Sequence, residues 1–173
     1  PGGKEVKYTG FDKVADAKLA GTEKLVELCG KRWGFTNLGT LVVRVMRSAP
    51  ADIQKLDPHD PKCKPYMSVH ATGRAADINF NGDKAKAVQA MNWFVANADA
   101  LGIEEVHDYS GLTKAGTSQW GRGWRCDRHD WKDWTATDNG GTPGAGWIHV
   151  ELSPAAAADG AAFEAAWRAL PKP

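Results

Sequence analysis

Ser68-Val69-His70-Ala71-Thr72-Gly73-Arg74-Ala75-Ala76-Asp77-Ile78 decides how this chain is read, because it sets an imidazole and a carboxylate a short turn apart with small residues between them. Gly73 can take the positive φ of a tight turn at little steric cost, so the chain is expected to reverse after His70 and leave as a strand. Side chains alternate along a strand, which sets Ala75, Asp77 and Asn79 on one face and Ala76, Ile78 and Phe80 on the other. The same alternation in Trp147-Ile148-His149-Val150-Glu151-Leu152 buries Ile148, Val150 and Leu152 and leaves Trp147, His149 and Glu151 on the opposite face. Imidazole nitrogen and carboxylate oxygen are natural zinc ligands, and a catalytic zinc takes three protein ligands while one position stays open. His70, Asp77 and His149 are the expected ligands.

The pattern S-x-H-x-x-G-x-A-x-D is filled here by Ser68, His70, Gly73, Ala75 and Asp77, and the tryptophan-bearing strand with His149 follows far downstream. Together they resemble the zinc peptidases of the D-alanyl-D-alanine carboxypeptidase and L-alanyl-D-glutamate endopeptidase group. Phage endolysins of the M15 kind belong to that group, and the hedgehog signalling domain shares its fold. Arg47-Ser48, after the run Leu-Val-Val-Arg-Val-Met at 41–46, is similar to an Arg-Ser pair of the family. The matched elements span residues 40–152. The resemblance implies a hedgehog-like fold, a bound zinc ion and peptidoglycan stem peptide as substrate. It also implies a setting outside the cell, at the wall or in a phage particle. One position departs from the family, which carries Glu or Asp as general base three residues before the last zinc histidine. Here that position is Gly146, which cannot take a proton.

Hydrolysis of a peptide carbonyl would need a positive partner for the developing oxyanion, and the fixed charge of Arg47 suits that oxygen or a substrate carboxylate. A general base must lie within hydrogen-bond reach of the water it activates. Glu151, on the strand face of His149, is the first substitute for position 146, and Asp138 in the preceding loop is the second. Glu151 has an alternative role, that of orienting a ligand histidine from behind. Two classes of function follow: a zinc peptidase acting on cell-wall stem peptides, or a domain that binds zinc and wall peptide, or builds part of an assembly, without turnover.

A chain of 173 residues fits one domain, 1–173, large enough for a proper core. Its 22 basic and 21 acidic side chains are interspersed, with no basic block to track phosphates, so nucleic acid is not an expected partner. The sequence has no apolar run long enough to span a bilayer and no charged leader with an apolar core. Beginning at Pro1, it reads as a processed or excised piece of a larger phage or secreted protein. Cys29, Cys63 and Cys126 form no C-x-x-C pair, which argues against a structural zinc knuckle and leaves open a disulfide or three buried thiols. Of eight tryptophans, four fall at 120–134, where they either line a sugar-binding cleft or pack an irregular loop.

Along the chain, residues 11–33 carry helical spacing with Thr22 as candidate N-cap. Residues 41–46 form a near-continuous apolar strand of the kind covered on both faces, and 49–66 is a Pro-rich surface loop in which His59 and Asp60 are solvated. Asp83 caps a helix from Lys84 to about Ala100, with Val88, Met91, Val95 and Ala98 on its buried face. Residues 103–107 read as a strand whose His107 either approaches the site or is merely hydrogen-bonded. Residues 108–146 show little periodicity and suit a binding loop or a surface insertion. Ser153 and Pro154 open a last helix with Phe163, Ala166, Trp167 and Leu170 on its apolar face. These elements predict a single α+β domain, helices against a small, mainly antiparallel sheet.

Overall fold

A computed structural model describes residues 5–138 and 143–173. Its centre is a six-stranded sheet in the order β1-β2-β6-β3-β4-β5. The strands are β1 (Thr36–Gly39), β2 (Ala75–Asn79), β3 (Ile103–Asp108), β4 (Arg122–Arg125), β5 (Asp130–Asp133) and β6 (Trp147–Leu152), and every adjacent pair is antiparallel. The helices are α1 (Ala20–Trp33), α2 (Lys84–Ala96), α3 (Ala98–Leu101), α4 (Pro154–Ala158) and α5 (Gly160–Ala169). The chain is therefore an α+β domain, as its alternating patterns require.

The alternation in β2 and β6 sorts the two faces of the sheet. Ala76, Ile78 and Phe80 join Ile148, Val150 and Leu152 in one core with Leu25, Met91, Phe94, Phe163 and Trp167 from the helices. That face is closed and apolar. A smaller cluster, Ala49, Ile53, Cys63, Met67 and Ala71, lies beneath the irregular wall formed by 41–67. All three cysteines are buried and free.

Several boundaries differ from the sequence expectation. Residues 41–46 are not a strand: Val45 makes one isolated bridge to Met67, and Val42 and Met46 are exposed. The apolar run instead packs Val43 and Val45 onto the smaller cluster, so its strand propensity is overridden by a tertiary contact on one side only. Helix α1 starts at Ala20, and Thr22 is not its cap. Thr22 is fully buried, and its hydroxyl donates to the Gly73 carbonyl at 2.7 Å, tying the helix to the turn that carries His70. Residues 5–19 run without helix over the sheet. They are held by the buried pair Arg74 and Glu104: Glu104 accepts from the Thr9 amide at 2.8 Å and its hydroxyl at 2.6 Å, and Arg74 donates to the carbonyls of Gly10 and Leu152.

Asp83 does cap α2, accepting from the Lys86 amide at 3.0 Å, but the helix breaks at Asn97. Its buried face is Ala87, Ala90, Met91, Trp93 and Phe94, with Val88 and Val95 only half-buried. The last helix also breaks, at Asp159, whose side chain caps Ala162, so that α4 and α5 both reach α1. β4 and β5 lie inside the segment expected to be irregular, paired through Trp124 and Trp131.

Candidate metal centre

Strands β2 and β6 place Asp77 directly opposite His149, and their alternation turns both away from the helix-covered core. His70 comes from a 3-10 turn, Val69–Thr72, capped at its start by Ser68, whose side chain accepts from the His70 amide at 3.3 Å. Gly73 ends the turn at φ +70, a left-handed conformation that favours glycine. The sequence-derived trio thus meets. His70 Nε2 lies 3.2 Å from Asp77 Oδ1 and 3.1 Å from His149 Nδ1, and His149 Nδ1 lies 2.9 Å from Asp77 Oδ1.

This triangle fits a zinc ion. Ligand bonds of about 2.0 Å in a tetrahedron set neighbouring donor atoms ~3.3 Å apart, close to the three edges seen. The donor chemistry agrees. His149 Nε2 lies 3.0 Å from Glu151 Oε1, and a carboxylate only accepts, so Nε2 carries the proton and the neutral ring turns a bare Nδ1 toward Asp77. Three lone pairs aimed at one another repel unless a cation or a proton lies between them.

Without metal the proton takes that place. Burial opposes charge on His149, but the hydrogen bonds and charges of Asp77 and Glu151 override it and push the ring up to about 10. Burial likewise raises Asp77, yet His149 and His70 together hold it well below the usual carboxylate range. His70 is shifted down, mainly by burial, with Asp77 opposing.

A second grouping, His107, His149 and Glu151, also brings three ligand atoms within 4.8 Å of one another. Two of its members, His149 and Glu151, are already bonded to each other through Nε2 at 3.0 Å, a contact an ion there would have to break. The His70, Asp77 and His149 set is the better centre.

The trio lies in a cleft of about 620 Å³ whose lining includes Arg44, Arg47, Ser48 and Lys64 together with the rings of Tyr109, Trp134 and Trp147. Arg47 is exposed at the rim, whereas the charge of Arg44 reaches both His70 and Tyr109. Among the described residues neither arginine, nor Lys64, has an acidic partner. Asp138 also lines the cleft but is occupied: Lys132 Nζ is 2.6 Å away, Thr135 donates twice, and its carboxyl is held at about 2 by Lys132 first. Glu151 Oε1 lies at His149 Nε2, on the side of the ring away from the trio, where it holds the imidazole from behind. A Cβ at Gly146 would meet nothing within 4 Å. His59 lies outside the cleft lining, its amide donating to Asp57 Oδ1 at 2.8 Å.

Glu105, His107 and Tyr109 were not legible as a group in the sequence. Pairing shifts between Ile103 and Glu105, so Glu104 is an extra residue in β3 opposite the step from Leu152 to Glu151. The bulge re-aims the strand and turns Glu105 and His107 to the cleft. His107 then stacks on His149, ring centroids 4.4 Å apart. Trp134 lies edge-on to His107 at 4.6 Å, over Gly123, where a Cβ would come within 2.4 Å of the indole. Two tryptophans, 134 and 147, thus line the cleft, while Trp124 is packed in the main core. Compared with family models, with curated proteins and with solved structures, the chain matches none.

Proposed function

We propose that this chain is a zinc-dependent peptidase of the M15 kind that cleaves peptidoglycan stem peptides, as part of a phage lysin, a phage tail or a secreted wall enzyme. The observation that carries this reading is the triangle of His70, Asp77 and His149 in a cleft that Arg44, Arg47 and Lys64 also line, none of them with an acidic partner among the described residues. A zinc ion held there supplies Lewis acidity toward a carbonyl and lowers the pKa of water to about 7. Glu151 keeps His149 in the tautomer that presents Nδ1. Arg44, Arg47 and Lys64 suit a substrate rich in carboxylates, which stem peptides are, and the aromatic wall suits their aliphatic parts.

The open space at Gly146 and the placement of Glu151 favour a second reading, in which the domain binds zinc and wall peptide without turnover. Purified peptidoglycan incubated with the zinc-loaded protein, followed by mass spectrometry of the soluble fraction, separates the two. The peptidase reading expects stem-peptide fragments that disappear with chelator, and a faster release by Gly146→Glu. Retention of the protein on the wall with no fragment from either form would leave only the binding reading.

A further inference from the structure

Residues 42–46, although not a strand, lie extended and antiparallel to 66–70, the stretch that leads into His70. The Val42 amide donates to the His70 carbonyl at 3.3 Å, the Ser68 amide to the Arg44 carbonyl at 3.1 Å and the Met46 amide to the Tyr66 carbonyl at 2.7 Å. Neighbouring side chains of an extended segment point opposite ways. Val43 and Val45 accordingly pack onto the smaller cluster, while Arg44 and Met46 line the cleft. Arg44 is thus held in register with the turn that carries His70. Its Nη1 donates to the Val45 carbonyl at 3.2 Å, and it is half-buried, whereas Arg47 and Lys64 are exposed.

Charge in the cleft is unbalanced. Each of its four carboxylates already faces a partner: Asp77 and Glu151 face His149, Glu105 lies 2.8 Å from His107, and Asp138 lies 2.6 Å from Lys132. Of its six cations, Arg125 is engaged by Asp127 and Lys132 by Asp138, while Arg44, Arg47, Lys64 and Arg128 have no acidic partner among the described residues. A substrate ammonium therefore meets no carboxylate without a partner, and a substrate carboxylate meets cations that have none. We infer that Arg44 is a specificity-determining residue that pairs with a free carboxylate of the stem peptide beside the metal centre, and so selects peptides that keep this carboxylate over those in which it is amidated. The inference rests on the proposed substrate and names the group that is recognised. A guanidinium matches a carboxylate through two parallel hydrogen bonds and full opposite charge, whereas a carboxamide offers one acceptor and no charge. Stem peptides carry two candidates, the α-carboxylate of D-glutamate and the C-terminal carboxylate.

The test compares wild type with Arg44→Gln, both loaded with zinc, on three soluble peptides. The first is the stem pentapeptide L-Ala-γ-D-Glu-L-Lys-D-Ala-D-Ala acetylated at both amines, the second has its D-glutamate α-carboxylate amidated, and the third its C-terminal carboxylate. Wild type is expected to lose about 10- to 100-fold in kcat/KM, mainly through KM, on at least one amidated peptide, which identifies the group that Arg44 holds. Arg44→Gln should lose as much on the first peptide, become indifferent to that amidation, and keep its zinc. Equal wild-type rates on all three peptides, or the same loss by Arg44→Gln on each of them, would overturn this inference while leaving the peptidase reading in place. A wild type that cleaves none of them overturns the peptidase reading, and calorimetric affinities for the same peptides then decide the inference by the same comparison. A wild type that neither cleaves nor binds any of them would overturn both.

Discussion

His149 is the residue on which the centre turns, since one ring nitrogen faces Asp77 and His70 and the other is claimed by Glu151. Glu151→Gln removes the acceptor charge that fixes the tautomer, and a partner of this kind is worth about 10- to 100-fold in metal affinity. Zinc titration of the variant should show that loss with little change in fold by circular dichroism. The metal-free protein also carries a pH signature. His149 is raised above its unfolded value, so its protonated form stabilises the metal-free fold fully below about pH 6.5. That contribution declines as pH rises and is gone above about 10. The same proton must leave when the metal enters, so zinc affinity should rise with pH across this window, with proton release visible in calorimetry as a dependence on buffer ionisation heat. An affinity that falls with rising pH would contradict the assignment. The trio was legible because period-two alternation fixes the facing of Asp77 and His149. His107 was legible only as one of two alternatives and Glu105 not at all, because a one-residue bulge at Glu104 leaves no local mark in the sequence.

At the scale of elements, the site depends on how the His70 turn is pinned from behind. Helix α1 reaches it through Thr22, whose buried hydroxyl meets the Gly73 carbonyl. Thr22→Val keeps the shape and leaves that carbonyl without a partner, a cost of about 1–3 kcal/mol. Urea unfolding should register it, and zinc affinity should fall as well because the turn loosens. Unchanged stability would mean that the bond is dispensable. Thr22 was misread as a helix cap because a hydroxyl near a helix start serves either purpose, and its partner lies 51 residues away. The strands β4 and β5 were hidden for a related reason. Their sequences, Arg-Gly-Trp-Arg and Asp-Trp-Lys-Asp, lack a run of apolar residues, and they are held by Trp124 opposite Trp131 and by Arg122 over the Trp131 ring at 4.7 Å. The apolar run at 41–46 misled in the opposite direction, since its Val43 and Val45 serve a side cluster and not the sheet.

Across the whole molecule the main core and the candidate metal ligands lie on opposite faces of one sheet, and no residue of the trio belongs to the main apolar cluster. Zinc is therefore expected to stabilise a fold that already exists. Chelation should lower Tm while leaving the far-ultraviolet spectrum intact, since a ligand at about 1,000 times its Kd contributes about 4 kcal/mol by mass action. Collapse of the spectrum on chelation would instead mark a fold built around the ion. No helix among the described residues is long and apolar enough to cross a membrane. The overall class was legible because the core-facing rows of β2, β6 and the helices follow their periods closely. The N-terminal strap was not, because Glu104 holds Thr9 from 95 residues away. The most direct check on the account is calorimetric titration of metal-free protein with zinc, beside Asp77→Asn. One equivalent bound by wild type, weakened at least about 100-fold by the substitution, is the predicted result, and absence of binding or equal binding by both would contradict it.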